Sequence, residues 1–223
     1  MNSIAGILLA AGSSERFESD KLLAMLPKGE RLIERALRVH LQSQIYPLTV
    51  VASPQLTRTM MEQPEILSVS KLVVGENFHG WFTFSCQWGR GRLVANENPE
   101  RGMSSSIHAG LNCLKQEEKA CGVLISLADL PFLTPETINT LIGEFLDERV
   151  GLLLPVFKNR TGHPVIVDVN RFRDRINQIE GDVGLRVIIE RHPDQVRRIP
   201  WHNDSVIRDI DTPADLERLI PHD

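Results

Sequence analysis

The chain has 223 residues, 42% hydrophobic and 24% charged, and its 25 basic and 29 acidic side chains give a formal net charge of -4. This fits one compact domain, 1–223, with a real core, and the lack of a basic block argues against a nucleic-acid partner held by phosphate contacts. The three cysteines, Cys86, Cys113 and Cys121, are odd in number and lack C-x-x-C spacing. Neither a disulfide framework nor a zinc site is indicated, and a reducing cytoplasm is the simplest compartment. No apolar stretch approaches the ~20 residues of a membrane helix. The apolar run Ile4 to Ala11 has no positive residue before it and leads straight into charge, unlike a signal peptide.

The run Ile4 to Ala10 reads as a buried strand that stops at Gly12, after which Ser13, Ser14, Arg16 and Lys21 supply hydroxyls and two cations. A glycine among small residues lets backbone N–H groups approach an anion, and Arg plus Lys neutralise several phosphate charges. The stretch therefore reads as a phosphate loop, with an ordinary strand-to-turn connection as the plainer alternative. Neither G-x-G-x-x-G nor G-x-x-x-x-G-K-[ST] occurs, which disfavours a dinucleotide fingerprint and a P-loop.

Further along, Leu32, Ile33, Ala36, Leu37 and Leu41 predict an amphipathic helix over about 30–42, and Pro47 to Ala52 a second strand. Ser53-Pro54 opens a short helix to about Met61, and Lys71 to Val74 reads as a third strand. This alternation implies a parallel sheet with crossovers. Residues 75–92, with Trp81, Trp88, Phe78, Phe82 and Phe84, form an aromatic-rich insertion: a packed hairpin, a lid or a subunit contact, with packing preferred.

Leu93 to Ala95 resumes as a strand, and Gly102 with Ser104, Ser105 and Ser106 precedes a helix ending near Glu117. Serines there are helix caps, or a helix N-terminus offered to a nucleotide. Gly122 to Leu127 reads as a strand buried on both faces, ending at Asp129 and Pro131. A carboxylate at the carboxyl end of a central strand sits where such sheets bind ligands. Alone it would read as a turn aspartate, but beside a triphosphate loop it reads as an oxygen ligand for Mg2+.

Thr134-Pro135 caps a helix to about Glu148, Gly151 to Val156 and Val165 to Val167 are strands, and His163 lies in the turn between them. A lone turn histidine is more often structural than catalytic. Asp182 in Gly181-Asp182-Val183-Gly184 precedes a helix over Leu185 to Glu190 and could simply cap it. Val206 to Ile210 reads as a strand, followed by Asp211 and a helix capped by Thr212 and Pro213, with Asp215 complementing the helix charge.

Taken together, Leu9-Ala10-Ala11-Gly12-x-Ser14-x-Arg16-Phe17 with Lys21, Gly102-Met103-Ser104-Ser105-Ser106-Ile107 with Gly110, Asp129-x-Pro131, Gly162-His163-Pro164, Gly181-Asp182-x-Gly184 and Asp211-Thr212-Pro213-x-Asp215 resemble the ordered motifs of the nucleotidyltransferases that act on molybdenum cofactor. The chain is most similar to the cytidylyltransferases among these MobA-like domains. Glu18 departs from the pattern, which has glycine there, and 75–92 has no match. The resemblance implies a Rossmann-like three-layer αβα sandwich, mostly parallel, of the nucleotide-diphospho-sugar transferase type. It implies transfer of CMP from CTP to the phosphate of molybdopterin with release of pyrophosphate. Leu9, Ala10, Ala11, Gly12, Ser13, Arg16, Lys21, Ser105, Ser106 and Gly110 would bind nucleotide; Arg16, Lys21 and Asp129 would be catalytic; Asp129 and Asp211, less so Asp209, would hold Mg2+; His163 and Asp182 would face the acceptor.

CTP over GTP rests on Ala11, where guanylyl-transferring relatives carry glycine. The alternatives are transfer from GTP or to another phosphorylated acceptor, and a non-catalytic carrier delivering the pterin to a molybdenum hydroxylase apoenzyme. An oxidoreductase also exists on similar scaffolds, but no residue here supplies a redox group.

Overall fold

The structure is a computed structural model that describes residues 3–12, 17, 20–27, 29–62, 73–78, 80–114 and 120–219, with only the backbone over 73–78. Strand β1 (Ser3–Ala10) lies at its centre. Ile4, Leu8 and Ala10 enter one apolar layer while Ala5, Ile7 and Leu9 enter the other, so neither face of the strand meets water. On each side it pairs in parallel, with β2 (Ile45–Ala52) and with β6 (Ala120–Leu127).

Beyond β2 come β5 (Gly89–Ala95), β4 (Trp81–Cys86) and β3 (Val73–Phe78); beyond β6 come β9 (Val165–Val167), β7 (Leu152–Phe157) and β10 (Val196–Pro200). A two-residue strand, β8 (Arg160–Thr161), pairs with β7. The seven strands β1, β2, β3, β5, β6, β7 and β10 run the same way, and β4, β8 and β9 run against them.

Helices α1 (Leu32–Leu41), α2 (Pro54–Glu62) and α4 (Pro135–Glu148) cover one face, contributing Leu37, Met60 and Phe145. Helices α3 (Met103–Asn112), α5 (Val169–Ile176) and α6 (Arg186–Arg191) cover the other with Ile107, Phe172 and Ile188. A last short helix, α7 (Pro213–Glu217), follows Thr212. The expected three-layer, mostly parallel sandwich is the observed one. Chain order reverses between β1 and β6, whose carboxyl ends therefore open a crevice at the switch point.

One local expectation changes. Val206 to Ile210 is not a strand: a 3-10 turn, Asp204–Val206, leads into irregular chain pinned by buried Val206 and Ile210. The outer strand is instead Val196–Pro200, which takes the free edge of β7. The segment 75–92 is an edge extension of the sheet, with Trp81 and Phe84 buried and the Arg92 guanidinium 4.9 Å from the Trp81 ring centre. Its described side chains thus pack on the sheet as a hairpin.

Buried His40 on α1 holds the Ala36 carbonyl through Nδ1 at 2.7 Å, while its Nε2 has no hydrogen-bond partner. Burial pushes its pKa down to about 4, against the pull of the Ala36 carbonyl. The unfolded chain binds this proton first, so stability is intact above about pH 6.5 and drains as pH falls toward 4. Urea unfolding at pH 7 and pH 5 is expected to show wild type losing about 2 kcal/mol more than His40→Leu over that interval.

Candidate active site

The crevice is a cavity of about 1040 Å³ floored by Leu9, Ala10, Ala11 and Gly12, with Lys21 and Asp129 in its wall. Gly12 is needed neither for packing nor for a left-handed backbone: a Cβ there would meet nothing within 4 Å. Its bare backbone leaves room for a ligand to approach the loop.

Lys21 opens a 3-10 turn, Lys21–Leu23, whose first N–H groups are capped by Asp20: the Asp20 Oδ1 accepts from Leu22 N at 3.0 Å. Leu22 is buried in the core and fixes the turn. Asp129 stands two residues past β6, on a ladder continued by Ala128 N donating to Leu9 O at 3.0 Å. Arg35 Nε ties α1 to the same loop through the Pro131 carbonyl, 3.1 Å away.

The Asp129 carbonyl accepts from Ile210 N at 3.0 Å, which draws the irregular segment and Asp211 alongside. Asp215 Oδ2 then accepts from Asp211 N at 3.2 Å and Thr212 N at 2.8 Å, making the expected helix cap. The Thr212 hydroxyl, donating to the same oxygen at 2.8 Å, contributes most to holding the Asp215 carboxyl below its usual range, with the two backbone bonds adding to it.

The three chain segments meet at one atom. Lys21 Nζ donates to Asp129 Oδ2 at 2.7 Å and to Asp211 Oδ1 at 3.2 Å, with the Lys21 side chain only 10% exposed. Burial pulls the Lys21 pKa down, but the two carboxylates outweigh it and raise it, so the ammonium stays charged. Asp209, beside this group, has its pKa raised by burial and by repulsion from Asp211 and Asp129.

Asp129 and Asp211 are the residues here that could hold a divalent cation. Asp129 Oδ1 is buried with no hydrogen-bond partner, and two carboxylates from separate segments already converge on a positive charge. Among the described residues no group of three His, Cys, Asp or Glu side chains is placed for a metal. Two carboxylates plus water and phosphate oxygens is the sparse oxygen set that Mg2+ uses. The described lining carries Lys21 against Asp20, Glu100, Asp129 and Asp182, so a triphosphate entering it needs further positive charge.

The other expected residues divide. Ser13 and Arg16 lie outside the described residues. Ser106 lines the cleft, whereas Ser105 lies behind it and donates to Gly102 O at 2.8 Å. Asn96, which sequence reasoning missed, donates to both serine hydroxyls at 2.8 and 2.9 Å; a buried polar residue closing an apolar strand was its only signal. Gly110 is not at the cleft, because a Cβ on it would press into Ile7 at 2.6 Å and its role is helix-to-sheet packing.

Asp182 is on the rim, its Oδ1 accepting from Met103 N at 3.1 Å at the start of α3. Gly102 at φ 85° lies against Gly181 so closely that any Cβ would fall 2.5 Å from its carbonyl carbon, which locks these two motifs together.

His163 does not line the cleft. Its N–H donates to Val206 O at 2.8 Å, and its ring Nδ1 is buried without a partner. Burial lowers its pKa against the Ile125 carbonyl and Asp129, so it is neutral. Gly162 meets the same carbonyl: a Cβ would lie 2.6 Å from Val206 O. The Gly162-His163-Pro164 turn thus seats the segment that carries Asp209 and Asp211. Gly162→Ala is expected to lose about 1–3 kcal/mol in urea unfolding through overpacking, and to weaken metal binding measured by calorimetry, whereas Gly143→Ala on exposed space should do neither.

The chain is similar to known proteins over nearly its whole length. The chain is 23% identical over 222 residues to nicotine blue oxidoreductase of Paenarthrobacter nicotinovorans, covering 97% of this chain and 96% of that protein. It is 25% identical over 219 residues to a probable molybdenum cofactor guanylyltransferase of Mycobacterium avium (strain 104), covering 97% and 94%. In fold it matches Rv0371c of Mycobacterium tuberculosis H37Rv in its manganese complex, with a TM-score of 0.69, 20% identity and 98% coverage of each chain. The model of the MobA-like NTP transferase domain matches residues 6–196, and the chain belongs to that family.

Proposed function

We propose that this protein transfers CMP from CTP to the phosphate of molybdopterin, releasing pyrophosphate. The observation that carries the reading is Lys21 Nζ held between Asp129 and Asp211 at the mouth of a cleft floored by the Leu9 to Gly12 loop. An acceptor phosphate oxygen forms a bond to the α-phosphorus, and the bond from that phosphorus to the oxygen bridging the α and β phosphates breaks, its electron pair leaving on what becomes a terminal oxygen of pyrophosphate. The acceptor oxygen is already anionic, so no protein base has to remove a proton, and the protein's work is alignment and charge neutralisation.

In this scheme the backbone N–H groups of Ala11 to Ser13 cradle the triphosphate, and Arg16 and Lys21 neutralise its β and γ phosphates and the departing pyrophosphate. Asp129 and Asp211 hold the divalent cation, Mg2+ in this proposal. Bound there, it supplies charge neutralisation across the phosphates. Ala11 lines the cleft and is buried, and in this proposal its methyl narrows the base end against a purine, which favours CTP over GTP.

Likeness to nicotine blue oxidoreductase over 97% of the chain favours a second reading, a redox enzyme on the same scaffold. Pyrophosphate release with CTP, GTP and molybdopterin separates the readings. The expected result is pterin-dependent release, faster with CTP, that falls at least about a hundredfold in Asp129→Asn and vanishes with EDTA. Preference for GTP refutes the donor. Redox turnover without pyrophosphate release refutes the transferase.

A further inference from the structure

A second cavity, of about 420 Å³, takes Asp209 and Ile210, the residues just before Asp211, into its lining. Lys158, Arg160, Arg208 and Arg218 line it, against Asp204, Asp209 and Asp215, so its lining is the more basic of the two. Two of the four cations are occupied: Arg218 pairs with Asp215 at 3.2 Å, and Arg208 stacks 4.3 Å from the Phe132 ring centre with Asp204 at 4.0 Å. Lys158 and Arg160 have no carboxylate partner among the described residues; Lys158 only rides over the Phe157 ring at 5.2 Å.

These two side chains are set in place by the backbone. Strands β7 and β8 are joined by a two-residue turn, Lys158 at φ 47° and Asn159 at φ 64°, both left-handed. Asparagine suits that conformation, but lysine adopts it at an energetic cost, and such cost tends to be retained where the residue has work to do. The turn is anchored by Gly162 N donating to Pro155 O at 2.9 Å.

The cavity also adjoins the reacting region. Asp209 and Ile210 line it, and Ile210 N donates to the Asp129 carbonyl at 3.0 Å. A ligand phosphate between Lys158 and Arg160 would therefore lie beside the segment that carries Asp209 and Asp211.

We infer that this cavity binds the phosphate-bearing acceptor, with Lys158 and Arg160 taking its phosphate. The inference rests on the transferase reading above and moves the acceptor away from His163 and Asp182, which are used in seating the chain and capping α3. Charge-assisted bonds from both cations would lower the repulsion between two anions brought together for reaction.

The test is equilibrium binding without turnover, following molybdopterin fluorescence with no nucleotide present, alongside calorimetric titration with CTP and with inorganic pyrophosphate. The proteins are wild type, Lys158→Gln/Arg160→Gln and, as a control on an exposed cation outside both cavities, Arg186→Gln. The expected result is a pterin Kd raised about tenfold or more in the double variant alone, with CTP and pyrophosphate affinity unchanged. An unchanged pterin Kd, or no pterin binding by wild type, overturns the inference, as does a loss confined to pyrophosphate, which would make the cavity a leaving-group site. Pterin binding lost on substitution in a wild type that releases no pyrophosphate keeps the subsite and refutes the transferase reading instead.

Discussion

One ammonium group organises this molecule. Lys21 Nζ is the point at which the first crossover, the end of β6 and the segment before α7 are held together, and it sits in a nearly buried position where a lone charge would be costly. Asp129 and Asp211 make that burial tolerable, and Lys21 makes their proximity tolerable in return. The consequence is a site that is electrostatically loaded before substrate arrives. A metal with a polyphosphate offers both partners at once: cationic charge for the carboxylates and anionic oxygen for the lysine. Under the proposed function, that exchange would replace one set of paired charges with another and let a strongly charged substrate enter without stranding a buried ion.

The rest of the fold serves this convergence. Both faces of β1 and β6 are apolar, so the strands are fixed by the two core layers, and their carboxyl ends are the natural place for the loop and for Asp129. The Gly162 turn positions the irregular segment through Val206, and Ile210 fastens it to the Asp129 carbonyl. Gly102 and Gly181 bring the α3 N-terminus and the Asp182 turn to the opposite rim. Motifs far apart in the chain are thus neighbours for reasons of packing as much as chemistry.

Much of this was legible in the residues. Continuous apolar runs marked β1, β2 and β6, and Ser53-Pro54 and Thr134-Pro135 marked helix starts, because burial and capping leave local signatures. The meeting of Lys21 with Asp129 was legible too, since a strand-end carboxylate and a loop cation on adjacent parallel strands share one crevice. What was not legible depended on partners distant in sequence. Val206 to Ile210 reads as a strand by composition, but β10 occupies the edge of β7. Gly110 and His163 carry family motifs, yet only the packing of Ile7 and Val206 against them shows what they do. Asn96 was invisible because its partners are two serines on the next helix.

The most direct test is a crystal structure of the protein with CTP and Mn2+ bound. The account predicts the metal on Asp129 and Asp211, the polyphosphate along the Ala11 to Gly12 backbone, and Lys21 Nζ moved from carboxylate to phosphate. A polyphosphate bound elsewhere, with Lys21 Nζ still on Asp129 Oδ2, would contradict it.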